Sequence, residues 1–154
     1  MFEELRSRIE DKNVLLLGVG NRSRGDDGVG SYLIKRLQTK VTIPMLDMGD
    51  VPENYISRIE SSGANMVVIV DAADFNAGPG EIALVDFADL RKLGVSTRCA
   101  NLDVIFKVIP KNRRPEMLLV AIQPGDEALR VGLSEPVRTS LDGLEFLFKR
   151  LFRK

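Results

Sequence analysis

Two adjacent aspartates, Asp26 and Asp27, follow an apolar segment and a glycine turn within VLLLGVGNRSRGDDGVG, from Val14 to Gly30. We expect them near the N-terminus of the next helix, where backbone N–H groups and the helix dipole favour ionised carboxylates. Such a pair could hold a cation or exchange a proton. The simpler interpretation is that the two aspartates only cap the helix, as aspartate often does.

The glycine turn does not match the common ligand-binding loops. In a dinucleotide-binding fingerprint the third glycine would fall at Ser23, so that motif fails. The lysine position of a P-loop is not filled, and two acids would repel phosphate. The segment GDDGVGSYLIKR lacks the alternating oxygen ligands and the closing glutamate of an EF-hand.

Composition indicates one globular domain covering residues 1–154. The chain is 44% hydrophobic, which is enough to build a core at this length. Lys plus Arg equals Asp plus Glu, 22 against 22, so bulk charge favours neither nucleic acid nor an anionic membrane as a partner. The apolar runs are too short to cross a bilayer, and the N-terminal segment lacks the apolar core of a secretory signal. We therefore expect a cytoplasmic protein without membrane insertion.

The chain contains no histidine and one cysteine, Cys99. The absence of histidine removes the commonest general base and metal ligand. Chemistry here must therefore depend on carboxylates, on Cys99, or on a group supplied by another molecule.

Apolar strands alternate with amphipathic helices along the chain. This pattern predicts an α/β fold, a three-layer sandwich in which a mostly parallel twisted sheet of about five strands has helices on both faces. Strands are predicted at 14–19, 42–46, 66–70, 81–85 and 117–122. Helices are predicted at 29–37, after Asp50 as the cap, and at 87–93, 102–109 and 134–152. The 81–85 segment is expected at a sheet edge, with its direction left open.

Acidic residues follow three successive predicted strands. Asp26 and Asp27 follow the first strand, Asp47 the second, and Asp71 and Asp74 the third. Ligand sites of parallel sheets lie beyond the carboxyl ends of the strands. Each acid alone is more often a turn or cap residue, but a cluster of carboxylates would repel unless a divalent cation or a shared proton lay between them. We expect Asp27, Asp47 and Asp71 to open onto one cleft.

Five motifs occur in a fixed order: GVGNxxxxDDGVG, DMGDVPEN, VIVDAAD, GPGEI and AIQP. In order and spacing this series resembles the hydrogenase maturation proteases, and the match spans nearly the whole chain. The resemblance implies an endopeptidase that removes a short C-terminal extension from the large-subunit precursor of a nickel–iron hydrogenase. It also implies that the precursor supplies the nickel and is cut once the metal is in place.

The resemblance also implies site residues. In that family two carboxylates and a histidine bind the metal, and the carboxylates map onto Asp27 and Asp71, which also become the candidate catalytic pair. The histidine position falls in the stretch 96–99, where Arg98 replaces it. Arginine has no lone pair for a metal, so we expect Arg98 to pair with Asp27 or Asp71, or to be a solvated loop charge. Cys99 could reach nickel as a thiolate, although a lone cysteine is more often a small buried hydrophobe.

These residues suggest a mechanism in which Asp27 and Asp71 complete the coordination of the precursor's nickel. A metal-polarised water would attack the scissile carbonyl while Asp26 or Asp74 moves the proton. Two other classes of function stay open. One is a non-proteolytic nickel-checking or assembly factor for the same precursor, and the other is an unrelated small-molecule hydrolase or phosphorylase on a similar sheet.

Overall fold

A computed structural model describes residues 1–125 and 132–152 of the chain. Its strands are β1 (Val14–Gly18), β2 (Met45–Asp47), β3 (Met66–Ala72), β4 (Ile82–Asp86) and β5 (Glu116–Ile122). Its α-helices are α1 (Phe2–Ile9), α2 (Val29–Leu37), α3 (Ile56–Ser61), α4 (Leu102–Ile105) and α5 (Glu135–Leu151). Short 3-10 turns cover Gly25–Gly28, Pro52–Tyr55, Phe87–Asp89, Phe106–Val108 and Lys111–Arg113.

The five strands form one sheet in the order β2-β1-β3-β5-β4. The pairs β1–β2, β1–β3 and β3–β5 are parallel, and β4 joins β5 as an antiparallel edge strand. This resolves the direction of the 81–85 segment. The parallel strands end at one edge of the sheet, and that edge carries Asp71 of β3 and the turn that follows β1.

Two apolar clusters cover the two faces of the sheet. One contains Leu16 and Val68 from the strands, with buried side chains of α1, α2 and α5. The other contains Leu17 and Ile69, with buried side chains of α3, α4 and the adjoining 3-10 turns. Consecutive residues of β1 and β3 thus face opposite layers and are buried on both sides, as expected for central parallel strands. The predicted three-layer α/β fold is confirmed.

Helix α2 lies against the sheet at Gly30. A Cβ atom there would lie 2.1 Å from the carbonyl oxygen of Val70 and 2.5 Å from that of Val19. Only glycine permits this approach, because any side chain would overlap backbone atoms. The contact fixes the start of α2 against the carboxyl ends of β1 and β3.

Several predicted boundaries change. Strand β2 begins at Met45 rather than at residue 42. The helix predicted after Asp50 begins as a 3-10 turn at Pro52, with Val51 and not Asp50 at its N-cap position. The carboxylate of Asp50 instead accepts a hydrogen bond from Asn21 Nδ2 at 3.3 Å. The predicted cap was wrong because this tertiary partner takes the side chain.

Two further helices are shorter than predicted, and one was not predicted. The 87–93 segment forms only a 3-10 turn, and the 102–109 segment divides into α4 and a second 3-10 turn. Helix α1, missed by the sequence reasoning, buries Leu5 and Ile9 against the sheet. Within residues 1–125 and 132–152, no helix combines the length and apolarity required to span a membrane.

Candidate active site

The turn after β1 positions Asp27. The backbone N–H of Asn21 donates to Asp27 Oδ2 at 3.3 Å, and the N–H of Asp27 donates to the carbonyl of Arg24 at 3.2 Å. The chain folds back so closely that a Cβ atom on Gly20 would lie 2.3 Å from the carbonyl oxygen of Asp27. The GN pair therefore creates a compact turn that holds the Asp27 carboxylate at the sheet edge.

Asp71 lies near the carboxyl end of β3 and is fully buried. Its Oδ2 accepts hydrogen bonds from Thr97 Oγ1 at 2.9 Å and from the Cys99 thiol at 3.5 Å. Its Oδ1 is buried without a hydrogen-bond partner among the described residues. Burial raises the pKa of Asp71 to about 7, against the lowering effect of the Thr97 and Cys99 hydrogen bonds.

Arg98 joins the two carboxylates. Its Nη2 donates to Asp27 Oδ1, and its Nε lies 3.6 Å from Asp71 Oδ2. The side chain of Arg98 is 24% exposed, that of Asp27 19% and that of Asp71 0%, so the group is largely shielded from water. The predicted pairing of Arg98 with these acids is present, and Asp27 and Asp71 are brought together at one place.

The loop that carries Arg98 is fixed by a backbone bridge. The N–H of Asp74 donates to the carbonyl of Ser96, and the N–H of Ser96 donates to the carbonyl of Asp74, both at 2.9 Å. The Asp74 carboxylate accepts hydrogen bonds from Asn76 N and Gln123 Nε2, each at 3.1 Å. The backbone hydrogen bond from Asn76 is the larger of the two effects that lower the pKa of Asp74. Asp74 thus anchors the loop through its backbone, and the suggested role of its carboxylate in moving a proton stays a prediction.

Asp26 has a different environment from Asp27. It is fully buried and accepts hydrogen bonds from Gly125 N at 2.9 Å and from Ser134 N and Oγ, both at 2.7 Å. Helix α2 has no side-chain cap hydrogen bond, so the capping interpretation does not hold either. The suggested role of Asp26 as a free carboxylate that moves protons is corrected: its carboxylate holds the start of α5 to the turn after β1.

Asp47 does not share a single cleft with Asp27 and Asp71. Its Oδ2 accepts from Ser31 Oγ at 2.7 Å and its Oδ1 from Gly49 N at 3.1 Å. A pocket of about 330 Å³ contains Asp47, and a second pocket of about 320 Å³ contains Asp27 and Arg98. Asn21 and Asp50 line both pockets. The predicted common cleft is therefore two adjoining pockets, with Asp71 buried from solvent.

Cys99 lies in the core beneath the loop. It is fully buried in the apolar cluster that also contains Leu102 and Phe106. Burial, followed by the charge of Asp71, raises the pKa of the thiol well above its ordinary value. Cys99 is thus a protonated hydrogen-bond donor to Asp71 at neutral pH, and the geometry favours a packing role over the suggested role as a thiolate ligand.

The chemistry of this site suits a cation that arrives from outside. Within the described part of the chain, no three His, Cys, Asp or Glu side chains are grouped so that they could hold a metal ion. The carboxylate of Asp27 and Oδ1 of Asp71, which has no hydrogen-bond partner among the described residues, are hard oxygen donors of the kind that bind divalent cations. Two carboxylates fit the recognition of a metal carried by another molecule better than the permanent binding of one.

Sequence reasoning missed three contributors to the site. Thr97 orients Asp71, and Asn21 and Asp50 line the pocket beside Asp27. Thr97 stands directly before Arg98, so a short side-chain hydroxyl within the loop was the available signal. The contact between Asn21 and Asp50 joins residues 29 positions apart, and no local pattern predicts it.

The model of one protein family matches most of the chain. The family is described as hydrogenase maturation protease, and the match covers residues 28–147. The hydrogenase 3 maturation protease of Escherichia coli K12 is 30% identical over 140 residues, which cover 89% of this chain and 87% of that protein. A putative hydrogenase maturation protease of Methanocaldococcus jannaschii is 24% identical, with 80% of each chain covered.

Solved structures show the same similarity. The crystal structure of the NiFe hydrogenase maturation protease HycI from Thermococcus kodakarensis superposes with a TM-score of 0.86 at 28% identity, and covers 98% of this chain and 99% of that one. The solution structure of an endopeptidase HycI from Escherichia coli gives a TM-score of 0.74 at 26% identity, with 87% of each chain covered. The first of these superpositions covers nearly the whole chain, and so shows the same overall fold.

Proposed function

The chain belongs to the hydrogenase maturation protease family and is a peptidase, and on that premise we propose its substrate and the step it performs. The substrate is the large-subunit precursor of a nickel–iron hydrogenase, and the reaction removes the precursor's C-terminal extension after nickel insertion. The naming of the relatives as hydrogenase maturation proteases supports this substrate class. A cytoplasmic location, where such precursors are made, is part of the proposal.

The observation that carries the proposal is that Asp27 and Asp71 both contact the positively charged side chain of Arg98. The two carboxylates converge at the carboxyl edge of the sheet on the Arg98 guanidinium. Asp71 also keeps one buried oxygen without a described partner, which is costly unless a further group completes it. A metal held by the precursor supplies such a group, and the nickel is then part of the substrate rather than a resident cofactor.

The arrangement makes cleavage depend on the metal. A precursor without nickel offers no cation to Asp27 and Asp71, so its extension is not drawn to this edge of the sheet. A precursor with nickel contacts both carboxylates, and the adjoining pocket of about 320 Å³ can receive the chain next to the metal. Positioning of the scissile segment follows from that contact, and positioning is a major contribution to hydrolysis rates.

One observation favours a second candidate function, a non-proteolytic factor that checks nickel insertion in the same precursor. The resemblance puts Arg98 at the position of a metal-binding histidine, and on that basis this chain offers two ligands to the metal rather than three. A protein with fewer ligands could still distinguish a nickel-loaded precursor from an empty one without cutting it.

A cleavage assay separates these candidates. The large-subunit precursor of a nickel–iron hydrogenase from the same organism is purified from nickel-supplemented and from nickel-depleted cultures, and each form is incubated with the protein. The proposal expects a shortened subunit and a released peptide, detected by intact mass, only from the nickel-loaded form. Binding of the loaded precursor without shortening would instead support the checking factor. Equal cleavage of both forms would contradict the metal dependence.

A further inference from the structure

The guanidinium of Arg98 lies against the carboxylates of both Asp27 and Asp71. It bonds directly to Asp27 Oδ1 and lies 3.6 Å from Asp71 Oδ2. Two ionised carboxylates in contact with the same guanidinium would repel if no positive charge lay between them. Arg98 supplies a positive charge from the protein's own chain, so the negative charge of the pair is partly offset before any metal arrives.

The two carboxylates are not equally available. Asp71 Oδ2 is engaged by Thr97 and Cys99, while its Oδ1 has no described partner but is buried. Asp27 Oδ1 is engaged by Arg98. The guanidinium bonds to Asp27 Oδ1 and lies beside Asp71 Oδ2, so a cation that bridged the two carboxylates through these oxygens would have to replace it.

The surroundings of Arg98 allow the side chain to move without the loop. The backbone of the loop is held by the two Asp74–Ser96 hydrogen bonds at 2.9 Å. The side chain is 24% exposed and lines the pocket of about 320 Å³, whose wall includes Asp50. Rotation toward that wall keeps the guanidinium near a carboxylate, because Asp50 offers one there.

We propose that Arg98 is a specificity-determining residue that excludes free divalent cations from Asp27 and Asp71. A cation free in solution must displace the arginine and gains only the contacts with two carboxylates in return. A cation fixed in a docked precursor gains the contacts of the whole precursor in addition, and displaces the arginine for that reason. The second half of this statement rests on the proposed function, whereas the exclusion of free cations does not.

Calorimetric titration of the free protein with nickel chloride tests the exclusion, with four forms compared at neutral pH. These are the wild type, Arg98→Lys, which keeps the positive charge, Arg98→Gln, which removes it, and Arg98→His, which also offers a ligand. We expect wild type and Arg98→Lys to bind weakly and alike. Arg98→Gln should bind at least about tenfold more tightly, since one opposing charge at contact distance is removed, and Arg98→His should bind more tightly again.

Each outcome decides the proposal. Addition of Asp27→Asn to Arg98→Gln should abolish the gain in affinity, which places the bound nickel at this pair. An affinity of Arg98→Gln no greater than that of the wild type, or equal affinities of Arg98→Lys and Arg98→Gln, would overturn the exclusion. If Arg98→Gln does not fold, as judged by circular dichroism, Arg98→His decides: no gain over the wild type overturns the proposal.

The titration is independent of proteolysis. Affinities in the expected order together with an uncut precursor would leave the role of Arg98 in place and reject the proposed cleavage. Normal nickel-dependent cleavage, with no effect of the Arg98 substitutions on nickel affinity, would support the proposed cleavage and reject the exclusion of free cations by Arg98.

Discussion

The carboxylates of Asp26 and Asp27, adjacent in the chain, bind different segments of the molecule. Asp26 is buried and accepts hydrogen bonds from Gly125 and Ser134, whereas Asp27 reaches the sheet edge and pairs with Arg98. Both residues lie in the 3-10 turn at Gly25–Gly28, and their side chains leave this turn in different directions. One aspartate is thereby assigned to holding the fold and the other to the site, and the two should respond differently to substitution.

Asp27→Asn and Asp71→Asn should each slow removal of the precursor's extension by about 100-fold or more, with the fold intact. An amide keeps the shape of the carboxylate but loses the negative charge that a cation requires. Intact-mass measurement of the nickel-loaded precursor over time gives the rate.

Asp142→Asn is the matched control for these variants. Asp142 is also a carboxylate paired with an arginine, Arg36, at 2.6 Å, but it lies on α5. The Asp142→Asn variant should cleave the nickel-loaded precursor at the wild-type rate. Wild-type cleavage by both site variants would remove Asp27 and Asp71 from the mechanism.

Asp26→Asn should lower the free energy of unfolding by about 2–4 kcal/mol, because an amide would direct its own N–H groups at buried donors. Ser134→Ala removes one of those donors and should cost only about 1 kcal/mol. Urea denaturation of the three proteins measures both effects. A wild-type midpoint for Asp26→Asn would show that this carboxylate does not hold α5 in place.

The stability of the wild type relative to Asp71→Asn should depend on pH. Burial raises the pKa of Asp71 in the folded protein to about 7 from an ordinary value of 3.8, so between these values the folded state binds more protons than the unfolded state. Stability from this group is therefore complete below about pH 4 and is lost as the pH rises through about 7. The variant lacks this titration.

Between pH 4 and pH 8, Asp71→Asn should accordingly gain roughly 2–4 kcal/mol of stability relative to the wild type. Denaturant unfolding at several pH values gives this difference. The exposed Asp142→Asn variant should show none. A constant difference between Asp71→Asn and the wild type across the range would mean that Asp71 does not titrate as its burial indicates.

Two glycine substitutions should have opposite effects on stability. Gly30→Ala places a Cβ atom 2.1 Å from the carbonyl oxygen of Val70 and should destabilise the protein by about 3 kcal/mol or more. Gly143→Ala lies within α5, where among the described residues no atom beyond the adjoining helix backbone comes within 4 Å of the new Cβ, and should stabilise it by up to about 1 kcal/mol. Thermal unfolding distinguishes them, and equal melting temperatures would contradict the close contact of α2 with the sheet.

The fold could be predicted wherever the apolar pattern is long and periodic. Helix α2 begins and ends at the predicted residues because its apolar positions repeat at helical spacing, and β1 and β3 follow from their continuous apolar runs. Asp50 illustrates the opposite case: a local capping rule suggested its role, and the distant partner Asn21 determined it.

The site was predictable in part. The resemblance put Arg98 at a metal-ligand position, and its pairing with Asp27 or Asp71 was one of two expectations, the other being a solvated loop charge. The bonding of Asp26 could not be foreseen, because its partners lie 99 and 108 positions away. The catalytic and metal-contacting roles of Asp27 and Asp71 stay predictions that the cleavage assay addresses.

The contact of Gly30 with the sheet has a consequence for how the site can adapt. Val70, whose carbonyl faces Gly30, directly precedes Asp71, and Asp27 stands three residues before Gly30. Helix and strand meet there through backbone atoms with no intervening side chain to compress, so the attachment points of the two carboxylates are spaced rigidly. Adjustment to a bound ion is then limited to rotation of the side chains of Asp27 and Asp71. The protein should therefore discriminate among metal ions by the position in which the precursor holds them, and not by their charge alone.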